Sequence, residues 1–254
     1  MTMTEIRRNQ ILHLLKIHKK MSNHKLEEKL AISSSTLRRE ILELEKEGLV
    51  RRYRGGVVLE VEKNHVISTN YRENVMIKEK MYIADIASIF IGSGMCIFVD
   101  SSSTVKALLP YISNLSNMVI ITNGLNTAYK LLQTCRSDNR VYIIGGEAIK
   151  DAESVIGDYG NDFLKLFRID LCLFSSTGID EHGIYEANFS QALFKKKVMN
   201  LANKKILLVD HSKFGKTHAY RFSDWDQFDH IITDNKTDKK YIKIAEKNNT
   251  ELLF

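Results

Sequence analysis

The sequence predicts an α/β protein in two parts: an N-terminal winged helix-turn-helix, then a larger Rossmann-like α/β domain. Three observations carry that expectation. Residues 1–58 hold three short helical patterns and then two β-prone runs about Gly55-Gly56. From residue 76 onward, helix-like segments alternate with short β-rich runs, the pattern of parallel strands joined by crossover helices. Charge divides the chain in the same region. Residues 1–58 carry 13 Lys and Arg against 7 Asp and Glu, which accounts for the whole formal net charge of +6. The rest of the chain is balanced, so the basic segment alone is suited to a polyanion.

A chain of 254 residues accommodates two domains with a substantial core in the larger one. Cys96, Cys135 and Cys172 stand far apart with no CxxC spacing, so buried reduced thiols are expected rather than disulfides or a zinc cluster. The eight histidines show no metal-ligand spacing, and no metal or cofactor is expected. No apolar run follows the charged start MTMTEIRRNQ, and apolar segments are broken by residues such as Asp85. They fall short of the ~18 uninterrupted apolar residues that a membrane helix requires. The expectation is a soluble cytoplasmic chain with no membrane partner.

Taken in order, Ile6, Ile11, Leu14, Leu15 and Ile17 suggest a helix over residues 4–18. Ser22 is placed to cap a second helix carrying Leu26 and Leu30 four residues apart, with Ala31-Ile32 a tight connection to a third. In that third helix Leu37, Ile41 and Leu44 form an apolar face, and Ser33 precedes it as an N-cap. Arg39 lies roughly 200° from Leu37 and faces outward with Ser35, while Arg38 sits on the flank. Gly48 reads as the C-terminal stop. Leu49–Arg54 and Val57–Leu59 then form a hairpin wing, with Arg51, Arg52 and Arg54 along it. Ser33, Ser34, Ser35, Thr36, Arg38 and Arg39 are therefore expected to meet the major groove of double-stranded DNA, and the wing arginines its phosphates or minor groove. The competing reading of this helix is a solvated surface with an Arg39–Glu43 pair.

Residues 59–75 read as a linker, with Tyr71-Arg72-Glu73 docking onto the following domain over 76–254. There, helices are expected over 76–91, 103–113, 123–133, 158–168, 188–202 and 237–247. Strands are expected over 96–100, 118–123, 140–146, 170–177, 205–211 and 230–234, with ELLF as a last short run. In such sheets ligands bind beyond the carboxyl ends of the strands. The residues just after each run are Asp100-Ser101-Ser102-Ser103-Thr104, Thr122-Asn123-Gly124, Gly145-Gly146, Ser175–Gly178 and Asp210–Lys213. Hydroxyls and unpaired N–H groups at helix starts suit an anion, and Lys195 or Lys213 can add a cation. Asp100 and Asn123 suit sugar hydroxyls. Each loop taken singly is better read as capping and turn chemistry.

The segments SSSTLRREILELEKEGLVRRYRGG (33–56) and LLVDHSKFGK (207–216) resemble the DeoR-type (deoxyribose-operon-repressor) transcriptional regulators. The resemblance covers nearly the whole chain. The family's usual TIRRD reads Thr36-Leu37-Arg38-Arg39-Glu40, and its Asp-x-Gly-Ser-Thr reads Asp100-Ser101-Ser102-Ser103-Thr104, with Ser102 replacing glycine. Gln191 stands where the family often has Glu, four residues before Lys195. The resemblance implies a C-terminal sensor domain similar in fold to sugar-phosphate isomerases, a phosphorylated-sugar effector, and a DNA-binding repressor working as a homo-oligomer, dimer or tetramer. It implies effector contacts from Asp100 through Thr104, Thr122, Asn123, Gly124, Gly145, Gly146, Gly178, Lys195 and Lys213. Gly215-Lys216-Thr217 is no P-loop, because Asp210 stands where glycine is required, and Gly92-Ser93-Gly94 precedes its strand rather than following it. Two rival classes remain. One is a sugar-phosphate isomerase with a DNA-binding head, for which Asp100, Glu147, Asp180 and Glu186 are the carboxylates by position. The other is an architectural DNA-binding protein, which leaves the neutral α/β domain without a role.

Overall fold

The computed structural model describes residues 3–46, 49–59, 72–149, 152–157, 160–234 and 237–254. The chain separates into two compact units, residues 1–65 and 66–254. The expected linker spans that division, and its residues 60–71, like Gly48, lie outside the described residues.

The first unit runs α1 (Met3–His18), β1 (Lys20–Ser22), α2 (Asn23–Leu30), α3 (Ser34–Lys46), β2 (Val50–Tyr53) and β3 (Gly56–Leu59). Its core joins Ile11, Leu12 and Leu15 of α1 to Leu26 of α2 and to Leu37, Ile41 and Leu44 of α3. The expected α1 stripe is corrected here: Ile6 and Ile17 are exposed, and Leu12 takes the inward place. Ile11, Leu12 and Leu15 follow the one- and four-residue spacing of a single helical face, whereas Ile17 lies about 200° from Leu15. Ser22 caps α2 by accepting from Lys25 N at 3.3 Å. The wing is real and larger than expected, because β1 pairs with β3 to give the antiparallel order β1-β3-β2. Gly55 turns it at φ 88°, and a Cβ on Gly56 would lie 2.5 Å from the Met21 carbonyl oxygen. Both glycines are thus required by backbone geometry.

The second unit begins with α4 (Ile77–Ser88), β4 (Cys96–Val99), α5 (Ser103–Lys106), α6 (Leu109–Ser113), β5 (Val119–Thr122), α7 (Leu125–Thr134) and β6 (Arg140–Ile143). A hairpin of β7 (Glu147–Ile149) and β8 (Ser154–Ile156) follows, then α8 (Gly160–Leu164) and β9 (Ile169–Phe174). Next come β10 (Gly178–Asp180), β11 (Gly183–Glu186), α9 (Phe189–Met199) and β12 (Ala202–Leu208). The unit closes with β13 (Tyr220–Ser223), β14 (His230–Ile232), α10 (Lys240–Lys247) and β15 (Glu251–Leu253). Seven strands form one all-parallel sheet in the order β15-β14-β12-β9-β4-β5-β6.

Alternation along the strands splits the core in two. On β4, Phe98 faces a layer with Phe194 and Val198 of α9 and Tyr241 of α10, while Ile97 and Val99 face Ile83 and Ala87 of α4 and Leu131 of α7. The expected helix over 103–113 is broken into α5 and α6, because Pro110 has no N–H to continue the ladder and sits in the first turn of α6. The helix expected over 158–168 is shorter, ending at Leu164. Beside the main sheet stands an antiparallel one, β10-β11-β13, which the sequence reading leaves as loops. Cys172 is fully buried and its thiol is pushed well above its usual pKa by burial; Cys96 and Cys135 are half-buried.

Candidate functional site

Two regions carry the expected site residues. In the first unit, Ser33 accepts from Thr36 N at 3.3 Å, and its hydroxyl lies 2.9 Å from that of Thr36 and 3.0 Å from that of Ser35. Ser33 and Thr36 are therefore occupied in capping α3, while Ser34, Ser35, Arg38 and Arg39 stand exposed at its start. Arg39 pairs with Glu40 at 3.3 Å rather than with Glu43, which pairs with Lys46 at 2.8 Å. Glu40 is itself fully buried and accepts from Arg8 Nε of α1 at 2.8 Å. It locks α3 to α1, a role the sequence reading missed because a lone Glu on a helix signals a solvated face.

On the wing, Arg51, Arg52 and Arg54 are exposed on the edge strand and its turn. Arg52 is held by Glu45 of α3, its Nε at 2.6 Å and its backbone N–H at 3.0 Å. That clamp fixes the wing against the helix. It also lowers the Glu45 carboxyl below its usual range, chiefly through the Arg52 backbone hydrogen bond.

In the second unit the sheet order decides the location. From β4 the chain moves outward to β5 and β6, then returns to the other side of β4 with β9. The carboxyl ends of β4 and β9 meet at the topological switch point, where open α/β sheets bind ligands. Asp100 ends β4, and its Oδ2 accepts from Ser175 N, just after β9, at 3.2 Å. Lys195 of α9 lies beneath with three acceptors: Glu186 Oε1 at 2.5 Å, the Ser175 carbonyl at 2.7 Å and Asp100 Oδ2 at 3.2 Å. Burial alone would lower the Lys195 pKa, but Asp100 and Glu186 raise it above the usual lysine value. All three ammonium donors are used. Lys195 is therefore a fixed support for two buried carboxylates.

The remaining strand-end residues flank this centre. Asn123 Oδ1 accepts from Ser101 N at 3.0 Å across β4 and β5, and Ser102 caps α5 by accepting from Val105 N at 3.4 Å. Ser103 opens α5, and Thr104 is buried within it. Two polar atoms on either side of the β4 end, Asn123 Nδ2 and Ser176 Oγ, are buried without a hydrogen-bond partner, as is Thr127 Oγ1 under Gly124. Buried donors are normally satisfied, so these atoms suit a polar ligand bound beside them.

Lys213 is half-exposed beside Asp210. Burial alone would raise the Asp210 carboxyl, but Lys213, the Ser212 hydrogen bonds and Lys80 hold it below its usual range. Lys80, nearly buried on α4, donates to the carbonyls of Arg72 and Val75, the latter at 2.7 Å. Burial pulls its pKa down to about 8. Arg72 is drawn into the same field: burial lowers its guanidinium pKa against the attraction of Glu186, Asp100, Glu153 and Glu73. The sequence reading had Arg72 only as a docking residue.

Thr122, Gly178 and Gly146 are also held by backbone contacts. Thr122 is fully buried, its hydroxyl donating to the Val99 carbonyl at 2.6 Å and accepting from Gly124 N at 3.0 Å. A Cβ on Gly178 would sit 2.4 Å from the Lys216 carbonyl oxygen, and one on Gly146 2.2 Å from that of Ile156. Gly145 is exposed beside the β7–β8 hairpin. Among the described residues no His, Cys, Asp and Glu cluster fits a metal ion, and no helix is long and apolar enough to cross a membrane.

A winged helix with an exposed Ser/Arg face, and a separate parallel-sheet unit with a charged switch-point cluster, define a DNA-binding regulator with a sensor half. Comparison with known proteins specifies the class. Residues 7–63 match the DeoR-like helix-turn-helix domain, and residues 75–235 match the DeoR C terminal sensor domain. The HTH-type transcriptional repressor GlcR of Bacillus subtilis is 30% identical over 243 residues, covering 96% of this chain and 93% of that one. The glycerol-3-phosphate regulon repressor of Escherichia coli is 30% identical over 231 residues, covering 90% of each. A solved D-ribose-5-phosphate isomerase in complex with phospho-erythronic acid overlays 54% of each chain, at 15% identity and a TM-score of 0.41. The chain belongs to the DeoR family of transcriptional regulators.

Proposed function

We propose that this regulator is a repressor of a sugar or nucleoside catabolic operon, controlled by a phosphorylated sugar bound at the carboxyl ends of β4, β5 and β9. The observation that carries the ligand half is the buried polar cluster at the switch point. It has Asp100 and Glu186 fixed on Lys195, flanked by the unsatisfied Asn123 Nδ2 and Ser176 Oγ. Carboxylates held in place accept from sugar hydroxyls, the amide and hydroxyl complete the ring, and the half-exposed Lys213 with the N–H groups near Ser102 suits the phosphate. The relatives' names accord with this, one being a glycerol-3-phosphate regulon repressor and another a lactose phosphotransferase system repressor.

Ser34, Ser35, Arg38 and Arg39 read base edges in this proposal, and Arg51, Arg52 and Arg54 meet backbone phosphates. One α3 covers few base pairs, so paired heads in a homo-oligomer supply the rest of the operator. The protein then works in the cytoplasm, beside its DNA. It reads its metabolite rather than converting it. Of the carboxylates an isomerase would employ, Asp180 is spent on the β10–β11 turn and Glu147 is exposed, while Asp100 and Glu186 share one lysine.

The test is fluorescence anisotropy of the purified chain on its own promoter at fixed salt, with and without a panel of pentose, hexose and triose phosphates. A change in operator affinity with one ester, and none with its unphosphorylated parent, is expected. Turnover of any ester in a parallel assay would replace this reading with the enzyme.

A further inference from the structure

Residues 72–76 open the described part of the sensor unit, and cations of that unit fasten them down. Glu73 takes two of these, Lys106 Nζ at 2.8 Å and Lys130 Nζ at 3.2 Å. Lys80 secures the carbonyls of Arg72 and Val75. Arg72, whose Nε is buried, feels the charge of Glu186 and Asp100.

Lys106 connects this corner to the wall of the site. It ends α5, the helix that opens from the Asp100–Ser103 loop, and its side chain is only 4% exposed. Its second carboxylate is Glu153 Oε2 at 3.5 Å. Glu153 lies in the turn between β7 and β8 at φ 46°, a conformation unfavourable for a non-glycine residue and held here by three contacts. Its carboxylate accepts from Asn126 Nδ2 at 3.1 Å and pairs with Lys106, and its carbonyl accepts from Leu125 N at 2.8 Å at the start of α7. The neighbouring residues bind the site directly: Val155 N donates to the Asn123 carbonyl at 2.7 Å, and Ser154 Oγ accepts from Gln191 Nε2 at 2.7 Å. A movement of the loops after β4 and β5 therefore carries Glu153 with it.

A buried cation shared by two carboxylates is costly to leave half-paired, so displacing either one is felt by the other. We propose that Glu73–Lys106–Glu153 is a relay coupling occupancy of the strand-end site to residues 72–76, with Glu73 its positioning residue. The relay deepens the effector reading and rests on it for the identity of the site. The ligand acts through it only to the extent that it binds the two arrangements of this corner unequally.

Hydrogen–deuterium exchange on the full chain tests the relay without any ligand. Glu73→Gln keeps the shape of the side chain and removes its charge. Exchange should quicken at least about three-fold both at 72–76 and at the distant 152–156, and Glu153→Gln should do the same at both places. Acceleration confined to the substituted end in both variants overturns the proposal. A second arm measures operator affinity with and without glycerol 3-phosphate, ribose 5-phosphate and fructose 1-phosphate. Glu73→Gln should bind the active ester within about three-fold of the unaltered protein, yet lose at least about five-fold of its effect on the operator. A full response retained by Glu73→Gln sinks the relay. If the unaltered protein answers to none of the esters, the effector reading fails and the exchange arm alone decides the relay.

Discussion

In the winged unit Arg38, Arg39 and Arg54 stand exposed on α3 and the hairpin turn, whereas in the sensor unit Lys80, Lys106 and Lys195 are each less than a tenth exposed. The exposed arginines contribute little to folding, because water and salt screen them, and for the same reason they are available to a polyanion arriving from outside. The buried lysines are the opposite case. Their charges are screened weakly, so each fixes the carboxylates or carbonyls around it and decides the geometry of a cavity rather than its attraction at a distance. The three arginines face solvent, while the three lysines hold the architecture of their own unit. The winged unit has internal pairs as well: buried Glu40 holds α3 to α1 through Arg8, and Glu45 holds Arg52.

That contrast can be broken most decisively at Lys195. Lys195→Met should leave Asp100 and Glu186 buried without their cation and cost about 3–5 kcal/mol in denaturant unfolding of the sensor unit. A loss below about 1 kcal/mol would mean that the two carboxylates are neutral or hydrated, and that the site is not organised by charge. Next comes Lys80, whose pKa of about 8 lies below its ordinary 10.5. Below about pH 8 both folded and unfolded chains hold the proton and the burial penalty is complete. Between that value and 10.5 the unfolded chain binds more protons, so this contribution makes stability rise with pH, by at most about 3 kcal/mol. Lys80→Met should flatten the rise between unfolding curves taken at about pH 7 and about pH 10.

The exposed side of the comparison predicts smaller effects, read on DNA rather than on folding. Arg39→Ala should cost about 1–3 kcal/mol on the specific operator and distinctly less on random DNA. Equal losses on both would remove Arg39 from base readout. Arg54→Ala should reduce the salt slope of binding by about one, with no change of sequence preference. Arg52→Ala should reduce that slope by less than Arg54→Ala, because Glu45 already neutralises part of its charge at 2.6 Å. Reversal of that order would show that the Glu45 clamp opens on DNA.

Much of the fold is legible in the residues, and the reason is local. The apolar spacing of Leu37, Ile41 and Leu44, the capping Ser22 and Ser33, and the Gly55-Gly56 turn each act within a few residues. Main-sheet strands such as Cys96–Val99 and Val119–Thr122 announce themselves as short apolar runs, because both of their faces are covered. The pairs β7–β8 and β10–β11 escape notice, since three or four residues are too few to establish a period and their partners are chosen by tertiary contact. Pro110 was visible, yet reading through it gave one helix where there are two.

The site is legible in its ingredients and not in its wiring. Asp100, Asn123 and the serines after β4 and β9 can be picked out as strand-end residues, because parallel sheets bind ligands there. That β9 returns to the far side of β4, which makes their junction the switch point, is a fact of strand order. The same holds for the three acceptors of Lys195, the burial of Glu40 and the sharing of Lys106. Each joins residues remote in sequence, and the energy that selects it arises only when water is excluded. The sequence by itself determined the two-part plan, the family and the exposed basic face, since helix periodicity, turn chemistry and net charge are properties of neighbouring residues. Only the tertiary structure decided which charges are buried and which partners they hold, because desolvation is a property of the packed whole.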